Sequence, residues 1–376
     1  MKSTFSPSRR RFLFAGGLGL TAVSLAYVGL GSSKRGGSSE LFLTAHKHKN
    51  QHFVSAMNLG GNEYFRTSTP SACHSITTHS ASNTMVGISR DPEAPARAFN
   101  AQNGESISHF FPREGRHFNG HGCISDDGRY FFATQNAFEE QRGVIAVYDI
   151  ESAQQMEEYD SGGQGPHEIH LLSDKRTLVI ANGGIQTHPE SGRKSLNLAK
   201  MHPKLSYLDS SSGEQLDHFD LPDRRLSIRH VAVGSDDTVG LALQYKGKRE
   251  FPPVVGFQKG QREIQLVKSD DDQTHWKMNQ YTASICIHPE TGVTAITCPR
   301  GNLITFWDSR DRKFISSIEI FDASGVALSR DGRYFFVTSG TGSLYHIDAH
   351  ALALSSVSIP EWPNAHWGNH FSQITV

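Results

Sequence analysis

Gly122-Cys-Ile-Ser-Asp-Asp-Gly-Arg-Tyr-Phe-Phe-Ala-Thr134 and Gly325-Val-Ala-Leu-Ser-Arg-Asp-Gly-Arg-Tyr-Phe-Phe-Val-Thr338 are two copies of one pattern. Each reads as an apolar strand, an Asp-Gly turn and a strand rich in aromatic and β-branched residues, which together mark a β-hairpin. A loop and a third strand ending in Asp follow each copy, Val144-Ile-Ala-Val-Tyr-Asp149 and Ser343-Leu-Tyr-His-Ile-Asp348. Weaker copies begin near Glu168, Val231 and Ser284, and further third strands end at Asp209 and Asp308. Aligned on the turn, first strands start near His74, His121, His167, His230, Ser284, Gly325 and His370, a mean spacing of about 49 residues, the span of one four-stranded propeller blade. Six blades then leave over a C-terminal strand, 366–376, while 41–45, 53–57 and 62–67 supply three strands from the other end. Joining them removes the open edge that a ring of sheets would otherwise carry. The expected fold is all-β, a single seven-bladed β-propeller over 41–376 whose last blade is closed by strands from both termini.

Composition agrees. Gly contributes 35 residues and Phe 22 of the 376, and charged residues make up only 20%, which suits short strands and turns better than long packed helices. The length alone allows two or three domains, but the repeat runs unbroken, so two separate β domains are set aside. With 37 Lys+Arg against 38 Asp+Glu the formal charge is −1; a strongly basic nucleic-acid binder and an acidic disordered tail are excluded. Four Cys do not make a disulfide scaffold.

The N-terminus reads Ser8-Arg9-Arg10-Arg11-Phe12-Leu13 before one apolar, Gly-rich run. Paired arginines followed by Phe-Leu and a single short hydrophobic segment predict a twin-arginine export signal over 1–31, with 32–40 as linker. The expected compartment is the periplasm, reached through the twin-arginine machinery. No Ala-x-Ala cleavage site precedes Ser32, so retention at the inner membrane by an uncleaved signal stays open. Loss of 1–31 would remove four cations and no acid, taking the formal charge from −1 to −5.

Propeller topology puts the starts of first strands, the ends of second strands and the loops after them on one rim. First-strand starts contribute His74, His121, His167 with Glu168, Arg229 with His230, and His370; second-strand ends contribute Arg90, Asn136, Asn182, Gln244 and Arg300. Five of seven equivalent positions carry His, in a chain with 20 His among 376 residues. Neutral imidazole is a metal ligand, a proton shuttle or a hydrogen-bonding cap. The candidate metal set is His121, His167, Glu168 and His230, holding a transition metal, with haem as a second cofactor for the same rim. Alternation along a strand places His167 in the pocket and His170 between blades. Arg90, Arg229 and Arg300 suit an anionic ligand, and Asn136, Asn182, His188, Gln244 and His370 complete the candidate ligand-binding set. Structural capping of neighbouring turns by the same histidines is the competing reading.

The loop 182–205, which carries His188 and Arg193, is long for a connection. Its Leu196, Leu198, Met201 and Leu205 predict an ordered lid over the channel mouth, with an inter-blade brace as the alternative. A Cys286–Cys298 bridge is open, buried free thiols being the default. No Gly-x-Ser-x-Gly, phosphate-loop, Cys-x-x-Cys-His or His-Glu-x-x-His motif occurs, so the familiar hydrolase, nucleotide and c-type haem chemistries lack their usual sequence basis.

Gly120-His-Gly122, Gly165-Pro-His-Glu168, Ala181-Asn-Gly-Gly-Ile185 with Thr187-His-Pro189, Leu196-Asn-Leu198, Ser227-Ile-Arg-His230, Pro299-Arg-Gly301 and Trp367-Gly-Asn-His370 resemble the exported family called domain of unknown function 1513, over essentially all of 40–376. The resemblance implies a twin-arginine-exported propeller associated with periplasmic iron uptake and imelysin-like partner proteins; it transfers no reaction. The expected function is a periplasmic binding propeller, monomeric and with no nucleic-acid partner, that takes a metal, haem or protein ligand on its His-rich face. A metal-dependent lactonase-like hydrolase on the same face and a pure protein-interaction scaffold are the alternatives.

Overall fold

A computed structural model of the chain describes residues 40–58, 60–192, 194–356 and 366–376. The expected export signal lies outside the described residues, as does the expected linker except Glu40, which opens the first strand, Glu40–His48.

Seven four-stranded antiparallel sheets follow one another. They form a seven-bladed β-propeller. Blades one to six cover 73–110, 116–160, 166–220, 226–267, 285–319 and 323–354. The seventh places the last strand, His366–Thr375, beside Glu40–His48, then Gln51–Met57 and Glu63–Thr69. Leu41 pairs with Ile374 and Thr44 with Phe371 across the closure. In every blade the strand expected to line the channel is the innermost.

The two hairpins that revealed the repeat share one hydrogen-bond plan. Ser125 N donates to Tyr130 O and Gly128 N to Ser125 O; Ser329 N donates to Tyr334 O and Gly332 N to Ser329 O. Asp127 accepts from Arg129 N at 3.0 Å and Asp331 from Arg333 N at 3.0 Å. The turn glycines sit at φ +74° and +71°, where a side chain would be strained. Each turn is also held by a histidine of the preceding blade: His79 Nε2 to Asp126 O at 3.0 Å and His288 Nε2 to Gly332 O at 3.0 Å. Those two histidines cap turns, and they lie on other strand ends than the five rim positions.

Between blades the core is apolar, with Phe110, Phe118, Phe131 and Tyr148 packed between blades one and two, and Trp307 buried in the cluster that spans blades three to five. All four cysteines are free. This is the default reading, and register explains why the open Cys286–Cys298 alternative does not form: Cys286 faces Ala295, three residues short of Cys298.

Candidate functional site

Regular strand alternation would not bring the rim histidines together; bulges do. The pairing of Cys73–His79 with the next strand shifts between Cys73 and Ser75, at His74. It shifts between Pro166 and Glu168, at His167, and between Ile228 and His230, at Arg229. In blade two it shifts between Phe118 and Gly122, around His121, and in blade seven opposite Thr44 and His46, the stretch that holds His370. An extra residue on the inner strand bends it and re-aims a side chain. The glycine at position 120 has a physical reason too. Its φ is +100°, and a Cβ there would stand 2.5 Å from both Arg90 Cγ and His74 Cδ2.

Five imidazoles therefore converge in the channel. Ring centroids are 4.5 Å apart for His121–His167 and His121–His370, 4.6 Å for His74–His370, 4.8 Å for His230–His370 and 4.9 Å for His74–His121 and His167–His230. Two donor sets have their ligand atoms within 4.8 Å of one another: His121, Glu168, His230 and His370, and His74, His121 and His167. His121 belongs to both. Nε2 of His74, His121 and His370 is buried with no hydrogen-bond partner.

Glu168 orders one side of the cluster. Its Oε2 accepts from Val231 N at 2.8 Å and from His230 Nδ1 at 3.2 Å, and its Oε1 stands 3.5 Å from His121 Nδ1 and 3.7 Å from His170 Nε2. Burial alone would raise this carboxyl, but hydrogen bonds from His170 and His230 hold it well below the usual range. An ionised carboxylate only accepts, so His230 Nδ1 carries the proton and turns its Nε2 lone pair away from Glu168. Burial, with neighbouring imidazoles and the Arg90 guanidinium, depresses His74 and His121 well below the ordinary imidazole value, and His370 to about 3. Burial and Arg229 do the same to His167. These four rings are neutral at pH 7, the form that coordinates a metal.

The cluster stands between two spaces. On one side His74 and Arg90 line a mouth of about 750 Å³ together with His117, His188 and Tyr281. On the other, His121, Glu168, His170 and His370 line a space of about 440 Å³. The expectation for His170 is thus corrected. It lines the channel rather than the blade interface, because the bulge at His167 resets the alternation and leaves Glu168 and His170 on one face.

The remaining expected residues divide. Asn136 exchanges amide hydrogen bonds with Asn119 at 2.9 and 3.0 Å and lines a small cavity beside His167. Arg90 and Arg229 line that cavity as well. His188 packs edge-on to Phe138 in the mouth wall. Arg300 stacks over Tyr281 at 4.0 Å, and Gln244 donates to Thr282 O at 3.2 Å while accepting from Lys246 Nζ at 3.0 Å. Asn182 is not a rim group. Fully buried, it bonds Ser161 and Ser206 and ties strands together.

The residues that match the family are now placed. Residues 67–374 match the family described as "Protein of unknown function (DUF1513)". The chain belongs to the DUF1513 family. No curated protein matches it. Among solved structures, hydrazine synthase of Kuenenia stuttgartiensis is similar over 82% of this chain and 93% of that one, with a TM-score of 0.62 and 13% identity. At that identity the likeness concerns the fold alone.

Lys246 and Asn119 escaped the sequence reading. Lys246 follows directly on a second-strand end, Val239–Tyr245, and extending each rim position by one or two residues would have found it. Asn119 sits in the bulge of Arg116–Ile124, which strand periodicity does not announce. The 182–205 loop forms a wall of the mouth rather than a cover: Thr187 accepts from Asn136 Nδ2 at 3.2 Å, and His188, Pro189 and Gly192 face the cavity. Met201 and Leu205 are buried as expected, whereas Leu196 and Leu198 are exposed; Arg193 lies outside the described residues.

Proposed function

We propose that this DUF1513 propeller binds a transition-metal ion at the histidine cluster. The observation that carries the reading is the trio of buried, unpartnered Nε2 atoms on His74, His121 and His370. A buried polar atom without a partner costs about 1–3 kcal/mol, and such a group calls for a ligand or a function. Neutral imidazoles with a carboxylate beside them suit Zn, Cu, Fe or Ni. Glu168, by accepting from His230 Nδ1 at 3.2 Å, fixes that ring's tautomer and leaves its Nε2 lone pair free, as carboxylates behind metal-bound histidines do. The twin-arginine pattern and the family resemblance support the periplasm as the compartment and iron uptake, with imelysin-like partners, as the setting. Lactonase-like chemistry on the same rim would need the ion first, so metal binding is tested before it.

The test is calorimetric titration of Fe(II), Cu(II) and Zn(II) into protein stripped of metal. His121→Ala removes the nitrogen common to both donor sets and should weaken binding about 10-fold or more, and Glu168→Gln by about 10- to 100-fold. Melting of the ligand-free His121→Ala protein should move little. If wild type binds none of the three ions saturably while His121→Ala loses about 1–3 kcal/mol of stability, the histidines are caps and the metal reading is wrong.

A further inference from the structure

Beside His167 lies a cavity of about 110 Å³ whose wall carries Arg90, Arg229 and Lys246, with Asn136 and Thr187, and to which no Asp or Glu among the described residues contributes. Buried or half-buried cations are normally paired with acids, because desolvating an uncompensated charge is expensive. Arg229 Nε is buried with no hydrogen-bond acceptor. Burial with Arg229, Arg300 and Arg90 pulls the Lys246 ammonium down to about 7. Gly183 gives Arg229 its room: a Cβ there would stand 3.2 Å from Arg229 Nη1. The hydroxyl of Thr187 accepts from Asn136 Nδ2 at 3.2 Å, which leaves its own proton to donate.

We infer that this cavity is a binding site for a small oxyanion, held by Arg90, Arg229 and Lys246 against the histidine cluster. Guanidinium forks match oxyanion geometry, and the ammonium adds a compact point charge. At roughly 30 Å³ for each water displaced, the space of about 110 Å³ admits an ion of sulfate or carbonate size. Because the cavity reaches His167, the anion also offsets the positive charge that Arg90 and Arg229 direct at the cluster, so it should tighten metal binding there. Only that last consequence rests on the metal reading.

Sulfate is the probe, since it stays fully charged and leaves transition metals in solution. Titrated into metal-free full-length protein at low ionic strength, it should bind saturably at one site. Lys246→Gln and Arg229→Gln should each weaken it at least 10-fold, with unchanged melting of the Lys246→Gln protein as the folding control. If Arg229→Gln does not fold, Lys246→Gln alone decides. No saturable sulfate binding by wild type, or binding that Lys246→Gln leaves intact, overturns the site. In a second arm Co(II) is titrated with and without sulfate, and sulfate should tighten it several-fold. Sulfate binding while none of Fe(II), Cu(II), Zn(II) and Co(II) binds would sink the metal reading and leave the anion site standing; metal binding without sulfate binding would do the reverse.

Discussion

Removing residues 366–376 should abolish the soluble fold. The last strand is the inner strand of blade seven, and its partner Glu40–His48 comes from the opposite end of the described chain. It buries Trp367, Phe371 and Ile374, and Phe371 stacks on Phe42 at 5.3 Å between centroids. Burying each large apolar side chain is worth about 1.5–3 kcal/mol, so three approach the whole margin of a typical fold, about 5–15 kcal/mol. The deletion also frees the edge of Glu40–His48 for intermolecular pairing and removes His370 from the cluster. Aggregated or protease-sensitive protein is expected. A milder form is Phe371→Ala, which should stay folded and lose about 3–5 kcal/mol. Both are read by denaturant melts and limited proteolysis, and a deleted protein that melts like the full chain would refute the shared blade.

The second large effect is acid lability of the metal-free protein. His74, His121 and His167 are held well below the ordinary value of 6.5, and His370 at about 3. Unfolded chains protonate these rings at about 6.5, so below that pH the unfolded state binds more protons and stability falls with pH. The contribution is complete above about pH 6.5 and is lost progressively toward the folded-state values. Each ring held neutral below its unfolded pKa withdraws stability as the pH falls, and the four act in the same direction. The melting temperature should therefore drop steeply between pH 7 and 5, less so for His370→Gln, which removes one titrating group. A saturating metal should raise the melt at pH 7 and lose that effect in the same window, since protons compete for the ring nitrogens. A melting temperature flat from pH 7 to 5 would mean that the rings are not held neutral.

What the sequence alone determined is the repeat and everything that follows from it. The Asp-Gly hairpins at 126–128 and 330–332, the blade spacing and the leftover terminal strands define seven blades and their closure, because strand period and turn chemistry are local properties. Since each blade contributes its inner strand at an equivalent position, the channel histidines at 74, 121, 167, 230 and 370 were legible as well. Tertiary structure decided where those side chains point. Bulges of one or two residues at or beside His74, His121, His167, His230 and His370 override the two-residue alternation on which a sequence argument depends. They turned His170 into the channel and gave Glu168 its place between two rings. Asn182 and Lys246 show the same limit in packing. One is buried among Ser161 and Ser206, 21 and 24 residues away, and the other is gathered with Arg229 of its own blade and Arg90 of blade one. Which groups meet across blades depends on contacts tens to hundreds of residues apart, and no local pattern encodes them.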